Sequence, residues 1–372
     1  MPQQPNHKRG NGMAAIAKPR YQGLVAARRW EHDPARPNAE FSLAVGDRIG
    51  ELTVIGHLAR GRANELYQVW SNRHWCALTA KVVAPEHSRN GRIPAALRKE
   101  ERVLARVRHP NIVQVFGTGD AEGRHYLLME YLAGPSLFDV LESLPKRRLH
   151  VPDAVRAVMH VGAAVHYLHR CGWLYRDLKP GNVHLREGIP VLLDFDVVWP
   201  LGKEARRPGD RLGTAPYMAP EQVLREPLTT ATDVYGLGAL LYELLTGKWP
   251  TEEIEEDEDD EFWYDDEDED DFEPKTAVAP VNSNGTPRNL TTRELNARYP
   301  QLSSPVVHPR QRNSQVTPEL EKLILRALER DPSKRFQTVS GMLAALAPML
   351  KGRHRLWPEN APVERRADTV TR

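Results

Sequence analysis

The densest chemistry in the sequence lies in eight residues, Tyr175 to Asn182, which read YRDLKPGN. They place an arginine, an aspartate, a lysine and an asparagine side by side, with a proline that stops any helix from running through. An apolar helical run precedes them, so a rigid polar loop is expected here rather than core. Such a loop suits phosphoryl transfer. Asp177 can accept a proton from an incoming hydroxyl or orient it. Lys179 can neutralise a transferring phosphate, and Asn182 offers an amide oxygen to a magnesium ion. The plainer alternative is a solvated loop with a chance collection of charges.

The elements that must position this loop are legible on both sides of it. From Gly46, the apolar residues Leu52, Val54 and Leu58, then Leu66, Tyr67 and Val69, alternate around a polar turn as a hairpin does. The run CALTAKVV reads as a further strand with Thr79 and Lys81 on one face. From Pro94 to Val107 the spacing predicts a helix, with Leu97, Glu100, Leu104 and Val107 along one face. Glu100 thus interrupts an apolar stripe. A buried carboxylate needs a cation, and Lys81 is the candidate; the alternative is that Glu100 only borders the stripe, equivalent to Glu101. Strand-like runs follow at Ile112 to Phe116 and Tyr126 to Tyr131, and Ala133-Gly-Pro then breaks the chain. Val158, Val161, Val165 and Leu168 form the helical stripe that delivers the chain to YRDLKPGN. Beyond it come a short apolar strand, VLLDF, a loop reaching GTAPYMAPEQ, and helices at Val234 to Leu245 and Leu320 to Leu328. The layout is a small strand-rich lobe followed by a larger helical lobe, without internal repeats.

Composition sets the outer bounds. A chain of 372 residues with 40% hydrophobic residues can fold two or three units around a proper core. Two cysteines, Cys76 and Cys171, do not make a disulfide framework, which fits a reducing, cytoplasmic setting. No apolar run approaches the roughly 18 residues of a membrane span, and no apolar segment follows the basic N-terminus as in a secretory signal. The net charge of +1 conceals a local separation: residues 252–273 hold 17 acidic residues among 22, so the other 33 face 51 Lys and Arg. That basic remainder carries no nucleic-acid-binding motif. Residues 1–45 mix Pro, Gly, Asn and Arg without periodicity and are expected to be disordered or loosely attached; residues 351–372 form a second tail.

With these pieces in order, the chain resembles a eukaryotic-like Ser/Thr protein kinase, of the sort also common in bacteria, over about residues 46–348. The resemblance implies a bilobal α+β fold with an N-lobe at 46–132 and a C-lobe at 133–350. It implies transfer of the ATP γ-phosphoryl group to a Ser or Thr hydroxyl of a protein, with ATP and Mg2+ as cofactors. Lys81, paired with Glu100, would hold the α- and β-phosphates. Asp177 would be the catalytic base, Lys179 the phosphate partner, and Asn182 and Asp194 the metal ligands. Leu58, Gly61, Leu66, Thr79, Met129, Glu130, Leu132 and His184 would line the nucleotide site. Thr214 and the Ala219-Pro220-Glu221 sequence resemble the substrate-facing end of the activation segment. Glu221 would pair with Arg335, and Asp233 would brace the catalytic loop from below.

Several positions depart from the family pattern. Of GxGxxG only Gly61 remains, with Ala59 and Asn64 at the flanking positions, so weaker or slower ATP handling is expected. Thr79 replaces the usual alanine, and His184 an aliphatic floor residue; either is a packing variant or a shift in nucleotide affinity. Asp196 replaces the last glycine of DFG, which should restrict the backbone there, and its carboxylate either adds a metal ligand or raises its neighbour's pKa. Tyr175 stands for the usual histidine, as in the active cyclic-nucleotide-dependent group. Between Asp194 and Gly213 there is no Ser, Thr or Tyr, so Glu204 or Asp210 is expected to provide the negative charge that Arg176 would otherwise meet on a phosphorylated residue. The alternative to an active kinase is a pseudokinase, a nucleotide-binding scaffold. The acidic insertion, residues 252 to about 292, is either a self-repelling loop or a dock for basic proteins or for basic segments of the same chain. Its Phe262, Trp263 and Tyr264 would anchor such a contact, and Lys203, Arg206, Arg207 and Arg211 are the internal candidates.

Overall fold

The computed structural model describes residues 41–61, 63–88, 92–202, 213–251 and 291–350. Its smaller lobe is an antiparallel sheet of β1 (Arg48–Ile49), β2 (Leu52–Arg60), β3 (Asn64–Ser71), β4 (Cys76–Val83), β5 (Val115–Ala121) and β6 (Arg124–Glu130). The strand order is β1-β2-β3-β4-β6-β5. Helix α1 (Arg92–Leu104) connects β4 to β5 and packs on β5 and β6.

Alternation along the strands decides what faces where. Leu66 pairs with Lys81 across β3 and β4, while Thr79 pairs with Met129 and Lys81 with Leu127 across β4 and β6. Directly opposed residues share a face, so Leu66, Thr79, Lys81 and Met129 look toward the larger lobe. On the other face Val54, Tyr67, Val69, Ala80, Val82 and Leu128 form a core that Phe41 and Leu43 cover. The Phe41 ring stacks on His57 with centroids 4.4 Å apart. Phe41 and Leu43 thus pack on the smaller lobe, because the outer sheet face is apolar and needs a cover.

Two element boundaries also differ from the periodicity. Ile112 makes an isolated parallel bridge to Leu192, and the Val113 N–H donates to the Leu192 carbonyl at 3.0 Å. These residues are apolar because they sit at the lobe junction, whereas β5 itself carries Gly117, Gly119 and Asp120 and makes a weak strand pattern. Helix α1 stops at Leu104; Val107 is buried beyond its end.

The larger lobe contains α2 (Leu137–Ser143), α3 (Val151–Arg170), β7 (Trp173–Leu174), β8 (Val183–Arg186), β9 (Ile189–Leu192), β10 (Trp199–Pro200), α4 (Pro220–Leu224) and α5 (Thr230–Thr246). After the acidic insertion come α6 (Thr292–Arg298), α7 (Pro309–Arg312), α8 (Pro318–Ala327) and α9 (Val339–Leu346). Every residue of α5 from Ala231 to Thr246 is buried, as befits a helix that is apolar on all sides. Thr229 caps its start by accepting from the Ala231 N–H. Gly247 ends it at φ +73°, where a Cβ would lie 2.8 Å from the Lys146 and Arg147 carbonyl oxygens. Helix α3 packs on α5 and α9, and its last turn feeds β7 and then YRDLKPGN. The acidic residues and the basic residues 203–211 lie outside the described residues, which resume at Thr291. Among the described residues no helix is long and apolar enough to cross a membrane.

Candidate active site

Lys81 stands at the meeting point of three elements. Its Nζ donates to Glu100 Oε2 on α1 and to Asp194 Oδ1 after β9, both at 2.8 Å. Glu100 is fully buried, and its other oxygen accepts the Phe195 N–H at 3.1 Å. This separates Glu100 from Glu101, which the helical pattern alone left equivalent. Burial works against the Lys81 ammonium, but Asp194, Glu100 and Asp196 together override it and raise its pKa well above the ordinary value. It therefore stays charged in a dry site, as a phosphate-binding lysine must.

The polar loop is held from below. Asp233, in the first turn of α5, accepts the backbone N–H groups of Tyr175 and Arg176, each at 2.8 Å, and the His169 Nε2–H at 2.6 Å. Those bonds hold Arg176 at φ +75°, a left-handed conformation that costs a non-glycine residue about 1 kcal/mol. Tyr175 is buried and donates its hydroxyl to the Leu193 carbonyl, which ties the loop to the segment carrying Asp194. Asp177 follows with both oxygens engaged. Oδ1 accepts the Thr214 hydroxyl at 2.8 Å and its N–H at 2.9 Å; Oδ2 accepts Asn182 Nδ2 at 2.8 Å and lies 3.0 Å from Lys179 Nζ. Lys179 also donates to Thr214 Oγ1 at 2.8 Å. Burial alone would push the Asp177 carboxyl up, but Lys179 and these hydrogen bonds hold it below the ordinary range. It is an acceptor at neutral pH.

The residues expected to line a nucleotide surround this cleft. Thr79 and Leu66 share the face of Lys81, and Leu58 and Gly61 flank the β2–β3 turn, whose Arg62 lies outside the described residues. Met129, Glu130 and Leu132 form the link between the lobes. The Glu130 carboxylate is committed elsewhere: it pairs with Arg186 at 2.5 Å and accepts the Gln114 N–H at 2.8 Å. On β8, Val183 and Leu185 enter the core, so His184 between them points the other way, and burial pushes its pKa down to about 4.

Among the described residues no three His, Cys, Asp or Glu side chains cluster as a self-sufficient metal site. The donors present nevertheless fit magnesium, which takes one or two carboxylates and fills its shell with phosphate oxygens and water. Asp194 keeps about a third of its side chain exposed. Asn182 commits its amide nitrogen to Asp177, leaving the oxygen as its metal-facing atom. Burial, then the Asp194 carboxylate, push Asp196 itself up to about 7. The left-handed conformation falls on Asp194, at φ +58°, and not on Asp196, so a non-glycine residue is unstrained at position 196.

Further groups brace the site: the Arg335–Glu221 pair that the resemblance implied, and others that did not stand out in the sequence. Arg335, 1% exposed, grips Glu221 with two bonds of 2.7 and 2.8 Å. The Tyr217 hydroxyl donates to buried Glu243 at 2.6 Å. Gln301 Nε2 holds the Ala215 and Met218 carbonyls at 2.8 and 3.1 Å, so the chain after the acidic insertion supports the segment around Thr214. On the smaller lobe, fully buried Glu65 accepts from Ser42, Tyr67, Arg60 and Arg124. Its signal was present: Glu65 occupies the buried parity of β3 with Tyr67 and Val69, the reasoning that singled out Glu100 on a helix.

A curled sheet over a helical lobe, with a lysine–glutamate pair above and a braced aspartate below, is the architecture of protein phosphotransferases. The protein kinase domain family matches residues 52–345, and the chain belongs to that family. It is 28% identical over 287 residues to the serine/threonine-protein kinase PknB of Mycolicibacterium smegmatis, covering 74% of this chain and 39% of that protein. It is 27% identical over 332 residues to the probable serine/threonine-protein kinase SCO3848 of Streptomyces coelicolor, covering 82% and 43%. The chain thus spans less than half the length of these curated relatives. Among solved structures it is similar to the PknI kinase domain of Mycobacterium tuberculosis, with a TM-score of 0.58 at 20% identity over 84% of this chain and all of that one; this likeness speaks for the fold.

Proposed function

We propose that this chain transfers the γ-phosphoryl group of ATP to Ser or Thr hydroxyls of protein substrates. The observation that carries the reading is the arrangement of Asp177, Lys179 and Thr214, in which an ionised, buried carboxylate and an ammonium meet beside the end of the activation segment. In the mechanism, Lys81 binds the α- and β-phosphates and Glu100 keeps it in place. Lys179 turns from Asp177 Oδ2 toward the transferring phosphoryl group, and the acceptor hydroxyl takes the vacated position, where Asp177 orients it and receives its proton. Asp194 and Asn182 would hold magnesium, which would supply charge neutralisation to the phosphates. Catalysis is then mainly positioning and electrostatic stabilisation. The relatives' names, serine/threonine-protein kinases, support this class of acceptor.

Basic proteins are the substrates we favour, since the run of 17 acidic residues would attract them, and that attraction would weaken with salt. The cytoplasm, where thiols such as Cys76 and Cys171 stay reduced, is the proposed compartment. The test is phosphate transfer from Mg-ATP to a generic basic protein by the parent, Asp177→Asn and Lys81→Met. Transfer by the parent that both substitutions abolish is expected. Nucleotide binding without transfer by the parent would overturn the reading in favour of a scaffold.

A further inference from the structure

Thr214 heads a single 3₁₀ turn, Ala215–Tyr217, but its side chain does not cap that turn. Its hydroxyl and its N–H go to Asp177 instead. The turn is closed by the Tyr217 N–H, which donates to the Thr214 carbonyl at 2.9 Å. So short a turn has little stability of its own. Whatever fixes it in place therefore fixes where Thr214 meets Asp177 and Lys179.

Two residues from distant parts of the chain grip this turn. One follows residues 252–290, which lie outside the described residues, and the other precedes them. On the far flank Gln301, only 4% exposed, gives both N–H groups of its amide to the turn. Its Nε2 donates to the Ala215 carbonyl at 2.8 Å and to the Met218 carbonyl at 3.1 Å, so the amide brackets the turn end to end. Tyr299 packs with Met218 and Val223 in a small core of its own, with Ala215, Leu295 and Leu302 against it. On the near flank Trp249 Nε1 donates to the Tyr217 hydroxyl at 3.3 Å, and that hydroxyl donates on to buried Glu243 at 2.6 Å. The flanks are also tied to each other, since the Val307 N–H donates to the Pro250 carbonyl at 2.9 Å. The phosphate-binding side of the site hangs on a different set of bonds, those of Lys81 with Glu100 and Asp194.

We propose that Gln301 and Trp249 are positioning residues for the protein acceptor. Gripping the turn from the two flanks of residues 252–290, they keep Thr214 on Asp177 and Lys179 and so govern capture of the acceptor hydroxyl, not of the nucleotide. This rests on the phosphoryl-transfer reading above. The full chain, Gln301→Met and Trp249→Phe are assayed with Mg-ATP and a generic basic protein. Gln301→Met, which keeps the length but has no N–H to give, raises the KM for the protein about tenfold and leaves the KM for ATP within about twofold. Trp249→Phe, which keeps a ring but loses the Nε1–H, raises the KM for the protein about threefold. An unchanged KM for the protein in both variants, or an equal rise for protein and ATP, would overturn the proposal. Hydrogen exchange on the same proteins needs no transfer. Gln301→Met speeds exchange of the Thr214 N–H and leaves that of the Phe195 N–H, which donates to Glu100, as in the parent. Faster exchange at both amides, or at neither, overturns the proposal. If the parent transfers nothing while Thr214 alone responds, the grip on Thr214 stands and only the phosphoryl-transfer reading falls.

Discussion

Thr214 donates twice to one oxygen: its hydroxyl and its backbone N–H reach Asp177 Oδ1 at 2.8 and 2.9 Å. The two residues are 37 positions apart, so this contact joins the catalytic loop to the end of the activation segment. It also lets one hydroxyl bridge Asp177 and Lys179. Removing the hydroxyl in Thr214→Val should lower kcat by 10- to 100-fold, matching the roughly 1.5–3 kcal/mol of a hydrogen bond to a charged group. Thr214→Ser should keep most of the activity. Steady-state kinetics decide it, and full activity in the valine variant would show the bridge to be dispensable.

Lys81→Met should destabilise the fold as well as stop transfer. It leaves Glu100 buried without its cation, and breaking such a pair from one side costs about 3–5 kcal/mol. The double variant Lys81→Met, Glu100→Leu should recover much of the lost Tm and none of the activity. Differential scanning fluorimetry on the three proteins tests this; additive losses would argue against coupling.

His184 gives a pH dependence with a definite sign. Its folded pKa is depressed to about 4 from 6.5, first by burial. The unfolded chain therefore takes up a proton at this residue before the folded one does. The stability is fully present above pH 6.5 and is lost as pH falls toward 4, by about 3 kcal/mol from this group. His184→Leu should flatten the fall in stability across that window. Urea midpoints at pH 7.5 and pH 5 measure it, and parallel decreases in both proteins would contradict the assignment.

Two glycines should respond in opposite ways to alanine. At Gly134, where the chain leaves the interlobe link, a Cβ would overlap the carbonyl oxygen of Leu185 on β8. Backbone would have to move from backbone, and overpacking of that kind costs about 1–3 kcal/mol or more. At Gly61 a Cβ would meet nothing nearer than the Asn64 carbonyl oxygen at 3.6 Å, so Gly61→Ala should leave Tm nearly unchanged. Equal Tm values for the two variants would show that the close approach at Gly134 relaxes freely.

Glu65 should anchor the N-terminal segment. Burial pushes its carboxyl up, but Ser42, Tyr67 and Arg124 outweigh that and lower its pKa. Its stabilisation is present above the unfolded value near 4.5 and disappears as pH falls through the lower folded value. Glu65→Gln should cost about 3 kcal/mol at pH 7 by leaving the buried arginines short of charge, and Ser42→Ala about 1 kcal/mol. Thermal unfolding together with hydrogen exchange at the Ser42 and Leu43 amides, which donate to Glu65 and Tyr67, would report both; unchanged protection in Glu65→Gln would remove its anchoring role.

The sequence by itself determined the lobed layout, because periods of two and of 3.6 are properties of neighbouring residues. It also determined which side chains are chemically equipped: Asp177, Lys179, Asn182, Asp194 and Lys81 stand out by type and by local spacing. Even the partnership of Lys81 with Glu100 was readable, since a carboxylate in an apolar stripe needs a cation within reach. Local pattern could not choose the partners that arrive from far along the chain. That Arg176 lies against Trp199, that Gln301 supports the segment around Thr214, and that Glu65 gathers Ser42, Arg60 and Arg124 depends on how separate elements pack. The same holds for charge. Which of Asp177, Asp194 and Asp196 is held low or pushed up follows from burial and from the cations beside it, and these exist only once the two lobes close around the site.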